Sequence, residues 1–213
     1  MKSKTLSLIN DILDKNNLVY LSEAIKTAVD KSVERIKKGG KIVVCGNGGS
    51  AADSVHIVGE LLKGFVLPRT LSEKDKEKFS LFGDDGQNTA EKLQYGIPAV
   101  ALSGSEAIST AVINDNGAEM VFAQQAYALL NEKDVFIGIS TSGNAENVKL
   151  ATITAKVKGA FSIALTGKTG GKLKEIADLS IIVNEQETYL IQEKHLPMYH
   201  LYCMCLENEF FGE

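Results

Sequence analysis

From residue 41 onward, short runs of apolar residues alternate with segments of helical period, and this alternation leaves few folds open. The runs fall at 41–45, 99–102, 135–139, 161–165 and 179–183. Each is mainly apolar rather than alternating in polarity, which marks a strand buried on both faces. The segments at about 51–63, 118–131, 146–158, 172–177 and 188–210 carry apolar residues at helical spacing instead. Buried strands separated by helices predict a parallel sheet covered on both faces, with right-handed crossovers, hence an α/β fold. Ahead of this alternation, Leu6, Ile9 and Leu13, then Leu21, Ile25, Ala28, Val29, Val33 and Ile36, mark two helices within residues 1–40. Asn16-Asn17 separates them, and Gly39-Gly40 ends the second.

A chain of 213 residues holds one such domain and is too short for two of ordinary size. One stretch breaks the rhythm. Residues 65–97 read as an insertion, with a charged helix at 72–78, turn signals at Gly83-Asp84-Asp85-Gly86 and a short helix at 89–94. It reads equally as a solvated surface excursion or, through its apolar residues Phe65, Phe79, Leu81 and Phe82, as a cover for the ligand pocket of its own or a neighbouring subunit.

The net charge of −4 offers no basic footprint, so no nucleic-acid partner is expected. No apolar run approaches the roughly 20 residues of a membrane span. Asn10, Asp11, Asp14 and Lys15 interrupt any apolar signal core, so a cytoplasmic protein without a membrane partner is expected. Cys45, Cys203 and Cys205 form an odd set in apolar surroundings and read as structural thiols.

Two loops carry the chemistry. Gly46-Asn47-Gly48-Gly49-Ser50 joins the first strand to a helix, and Ser140-Thr141-Ser142-Gly143-Asn144 does the same after the third strand. Glycines let the backbone approach a ligand, and a helix start presents free N–H groups to an anion. Neither loop has the lysine of a Walker motif or the glycine spacing of a dinucleotide fingerprint. Either alone is ordinary turn chemistry; two at equivalent positions of βα units favour a phosphate site.

On the helix after the first loop, His56 and Glu60 lie four apart and face one side. Alone the pair reads as a solvated helix face; beside a phosphate site it can move protons or hold a metal. The other two histidines sit on the last helix, which carries Gln192, Glu193, His195 and His200. Gln192 and His200 are roughly 12 Å apart along an ideal helix and offset in angle, yet can converge through long side chains. His195 reads as a packing residue on a half-buried face.

The linked set of GNGGS at 46–50 with His56-x-x-x-Glu60, STSGN at 140–144, LTGKTGG at 165–171 and IQEKH at 191–195 followed by His200 resembles the phosphoheptose isomerase (sedoheptulose-7-phosphate isomerase) family of the SIS fold. The resemblance implies a three-layer sandwich with a five-stranded parallel sheet, preceded by the N-terminal helices. It implies a homotetramer with active sites at subunit interfaces, acting on a phosphorylated sugar. The reaction would convert sedoheptulose 7-phosphate to a D-glycero-heptose 7-phosphate by proton transfer through an enediol. Ser50, Ser140, Thr141 and Ser142 would hold the phosphate; Asn47, Gly48, Gly49, Gln192 and the Asn114-Asp115 pair would contact substrate. Glu60 and His200 would be the acid/base pair. His56, Glu60, Gln192 and His200 would ligate one zinc ion per subunit.

The chain departs from the family pattern in several places. Ala145 stands where a further phosphate-binding serine is common, and Leu190 where an arginine is. Pro197 interrupts the last helix and is expected to kink it. The 65–97 insertion exceeds the family loop by roughly 20 residues and displaces an arginine, leaving Lys63 or Arg69 to substitute. Two other readings stay open: an isomerase of another ketose phosphate, and a non-catalytic SIS regulator resembling the replication-initiator-binding protein.

Overall fold

The computed structural model describes residues 1–212. Two helices, α1 (Ser3–Lys15) and α2 (Ser22–Lys37), precede the first strand. Asn17, at a positive φ of 57°, turns the chain between them. There follow β1 (Ile42–Gly46), α3 (Gly49–Leu62), α4 (Glu73–Glu77), α5 (Gly83–Lys92), β2 (Ala99–Ala101), α6 (Glu106–Asp115) and α7 (Val121–Leu129). β3 (Val135–Ser140), α8 (Glu146–Val157), β4 (Phe161–Thr166), α9 (Gly171–Ile176), β5 (Leu179–Ile182) and α10 (Thr188–Phe211) complete the chain.

The five strands form one parallel sheet in the order β2-β1-β3-β4-β5. Every residue of β1 and β3 is buried, as their unbroken apolar runs require. One face packs on α1, α2, α3 and α10 through residues such as Ile9, Ile25, Ile57 and Leu201. The other packs on α6 to α9 through Val112, Phe122, Ala151 and Leu173. The architecture is the expected three-layer α/β sandwich with its N-terminal helices. The three cysteines are all buried and unbridged, as expected of structural thiols.

Three local features differ from what the sequence predicts. The Gly83-Asp84-Asp85-Gly86 stretch is the first turn of α5, where Asp84 and Asp85 complement the positive end of the helix. α6 occupies a stretch to which no element is assigned above: only Val112 of it is buried, so its apolar residues mark no single face. Pro197 does not end the last helix, which continues past it to Phe211 as α10.

The 65–97 insertion is a helical excursion with a fixed root and a bare tip. Arg69 and Glu207 form a buried ion pair at 2.8 Å. Arg69 also donates to the carbonyls of Leu61 and Glu60, and Glu207 accepts the N–H groups of Phe65, Val66 and Leu67. Every polar edge of the pair is thus engaged, which such burial demands. At the tip Leu81 is 85 % and Phe82 73 % exposed.

Candidate active site

β1 and β3 are neighbours in register, Gly46 beside Ile139. The chain leaves β1 towards one edge of the sheet and β3 towards the other, which makes this the switch point where α/β sheets bind ligands. The two loops form a cleft of about 380 Å³ lined by Asn47, Gly48, Gly49, Ser50, Ser140, Thr141 and Ser142, as expected. Ile139, Ala145, Thr188 and Gln192 complete its lining, and no charged side chain is present. A phosphate here would meet hydroxyls and the N–H groups at the start of α3.

Close packing fixes this cleft. A Cβ on Gly143, whose φ is +68°, would come within 1.9 Å of the Gly170 carbonyl oxygen, so only glycine lets the second loop seat against the turn before α9. A Cβ on Gly49 would meet the Gln192 amide nitrogen at 2.5 Å. Asn47 and Asn147 exchange two amide hydrogen bonds of 2.9 Å, tying the loops together.

α3 and α10 run side by side in the same direction. Gln192 lies against Gly49, Tyr199 reaches Asp53 and His56, and Cys203 approaches the Ile57 carbonyl further along. Past the cleft, this pair of helices gathers the titratable groups. His56 Nε2 is 3.1 Å from Glu60 Oε1. The His56 and His200 rings meet edge to face at 5.0 Å between centroids. Phe65 covers the His200 ring at 5.5 Å, and His200 Nε2 is buried without a partner. Burial first, then neighbouring His56, pull the His200 pKa below its usual value, so its ring is neutral near pH 7.

The buried Tyr199 hydroxyl lies 3.1 Å from His56 Nδ1 and 3.3 Å from Asp53 Oδ1. Burial, and then the Asp53 charge, hold its phenol above the ordinary value, so it stays protonated. Burial likewise raises Asp53, against the hydrogen bond from Tyr199.

The structure thus brings His56, Glu60 and His200 together and places Gln192 in the cleft. The donor types suit zinc, and the unpartnered His200 nitrogen is what such an ion would engage. Among the described residues, however, no three His, Cys, Asp or Glu side chains surround one point. Asn114 and Asp115 lie exposed at the end of α6, hydrogen-bonded to each other, and do not line the cleft. Arg69 cannot serve a phosphate, because Glu207 holds it in the interior. None of residues 65–97 lines the cleft, so the excursion does not cover it within this chain. Tyr199, Asp53, Thr188 and Asn147 are additions. Asp53 was legible in part, since it shares one stripe of α3 with His56 and Glu60 at spacings of three and seven.

The doubly wound parallel sheet, with a hydroxyl-lined cleft at its switch point, is that of a SIS domain protein. SIS domain profiles match residues 107–204 and 8–75, leaving most of the excursion and the stretch up to 106 between them. A phosphoheptose isomerase of Helicobacter pylori strain P12 is 39 % identical over 196 residues, covering 92 % of this chain and 89 % of the relative. That of Citrifermentans bemidjiense is 40 % identical over 191 residues, covering 90 % and 86 %. The phosphoheptose isomerase structure from Neisseria gonorrhoeae superposes with a TM-score of 0.72 at 30 % identity, covering 97 % of this chain and 94 % of that one. The chain belongs to the phosphoheptose isomerase family.

Proposed function

We propose that the chain is an aldose–ketose isomerase that converts sedoheptulose 7-phosphate to a D-glycero-heptose 7-phosphate. The observation that carries this reading is an uncharged, hydroxyl-lined cleft joined by one pair of helices to the His56–Glu60–His200 cluster. The phosphate binds between the two loops, held by Ser50, Ser140, Thr141 and Ser142, with Asn47 and Gln192 beside the sugar. His56 lies about 9 Å along α3 from Ser50, so a sugar chain laid along the helix brings its carbonyl end to the cluster. Glu60 takes the proton from C1 of the ketose and returns it to C2. Neutral His200 moves the proton between the oxygens of the enediol. Phosphate binding supplies the remote energy that orients the reacting carbons.

A zinc ion, held by His56, Glu60, His200 and Gln192, would polarise the carbonyl. The buried, unpartnered nitrogen of His200 supports this part of the reading. A homotetramer with the site at subunit contacts is supported by Val55, Leu62 and Leu196, large apolar residues exposed on the same two helices. Three unbridged thiols suit the cytoplasm. Among the described residues, no helix is long and apolar enough to cross a membrane. The intact cluster of two histidines and a glutamate speaks against a purely regulatory protein.

The test is an isomerase assay on sedoheptulose 7-phosphate, with metal analysis and sedimentation of the same preparation. Turnover with stoichiometric zinc in a tetramer is expected. Turnover only on another ketose phosphate would overturn the choice of sugar. Inactivity on all of them would overturn the reaction class.

A further inference from the structure

We infer that Tyr199 and Asp53 are positioning residues that hold His56 as its Nδ1–H tautomer, so that its Nε2 lone pair faces Glu60. The argument is a count of protons along a chain of hydrogen bonds. Tyr199 has one hydroxyl proton and two near neighbours, Asp53 Oδ1 at 3.3 Å and His56 Nδ1 at 3.1 Å. A carboxylate can only accept, so the Tyr199 proton goes to Asp53. The phenol oxygen then has lone pairs to offer, and His56 Nδ1 must be the donor of the other bond. The proton on Nδ1 leaves Nε2 as the lone-pair nitrogen. That nitrogen faces Glu60 Oε1 at 3.1 Å. Two acceptors at that distance are held together only by a cation between them, either a proton or a divalent metal ion.

The surroundings support a built device. Tyr199 is buried and its ring packs edge-on against both His56 and His200. Asp53 and His56 lie three apart on α3, so their spacing is set by the helix, while Tyr199 comes from α10. The docking of α10 on α3 therefore decides which nitrogen of His56 points into the reaction centre. Partners of this kind fix the orientation and tautomer of an imidazole that works through its other nitrogen.

The inference rests on His56, Glu60 and His200 being the reaction centre, and its first test is independent of activity. In protein labelled with 15N-histidine, at a pH where the ring is neutral, two-bond proton–nitrogen correlations show which nitrogen of His56 is protonated. Nδ1–H is expected in the wild type, with a shift towards Nε2–H in Tyr199→Phe. The same variant should lose about 10- to 100-fold in kcat with little change in KM, because the phosphate cleft is untouched. Asp53→Asn, which keeps the shape of the side chain and weakens the acceptor, should change both readouts in the same direction; it decides the matter if Tyr199→Phe does not fold. An Nε2–H ring in the wild type, or variants with wild-type tautomer and kcat, would overturn the inference. Inactivity on every sugar phosphate with the tautomer shift intact would sink the functional reading and leave this one standing.

Discussion

The cleft and the cluster share the same two helices but use different materials. The cleft is made of backbone, hydroxyls and amides, with no charged side chain. The cluster, reached further along α3 and α10, is made of imidazoles, a carboxylate and a phenol. On the proposed function the first would grip an anion whose charge hardly changes during the reaction, so fixed dipoles suffice. The second would handle protons, so its groups must change charge. Binding and chemistry are therefore separable along one helix, and substitutions at the two ends should affect different kinetic constants.

The largest effect should come from the cluster. Glu60→Gln and His200→Asn are each expected to lower kcat by about 10²- to 10⁴-fold with KM near the wild-type value. Steady-state kinetics on purified, folded protein checks this, and a rise in KM alone would break the division of labour.

Next comes His195, which lies on α10 between the two regions and belongs to neither. It is fully buried, and both ring nitrogens lack hydrogen-bond partners. Burial pulls its pKa down to about 4, against a smaller upward pull from the nearby Thr166 backbone. The unfolded chain therefore binds more protons than the folded one between roughly 6.5 and 4. Stability should be complete above that window and fall as pH drops through it, by up to about 3 kcal/mol. Denaturant unfolding at a series of pH values should show this slope, and His195→Leu should flatten it. An unchanged slope in the variant would place the acid sensitivity elsewhere.

A smaller effect is expected in the cleft. Thr141→Ala removes one hydroxyl from the anion site and should raise KM by about tenfold, the equivalent of one modest hydrogen bond. The value of kcat should change far less. If kcat fell and KM held, Thr141 would act in the chemical step.

The smallest effect belongs to the tip of the excursion. Replacing Leu81 and Phe82 with serine should change stability by no more than about 0.5 kcal/mol, since neither is buried. A melting temperature lowered by many degrees would show that the tip is packed in the assembled protein.

The sheet was legible because its runs are short and mainly apolar, and its central strands β1 and β3 are buried throughout. β1 and β3 begin within one residue of the expected positions and end one residue beyond them. α6 was not legible, because Ile108 and Ile113 remain exposed and give no periodic stripe. In the site, His56 and Glu60 follow from helix spacing within one element. Tyr199 does not, because its meeting with His56 spans 143 positions and depends on how α10 docks. The same holds for the Arg69–Glu207 pair, separated by 138 positions, which spacing arguments could not anticipate.

α10 carries Gln192 at the cleft, Tyr199 and His200 at the cluster and Glu207 at the root of the excursion. Its far end also closes on α1: the backbone N–H of Lys2 donates to Glu209 across 207 positions, and the Thr5 hydroxyl donates to the same carboxylate. Pairings of such separation are slow to form, because the loop must close before any contact rewards it. A chain emerging from the ribosome can assemble β1, α3 and the first loop long before the last helix exists. Until α10 docks there is no second histidine at the centre, no hydroxyl on His56 and no partner for the Arg69 charge. On the proposed function, catalytic competence therefore arrives as the closing event of folding: a chain released before α10 is synthesised would hold both loops of the cleft, His56 and Glu60, but neither Gln192 nor His200.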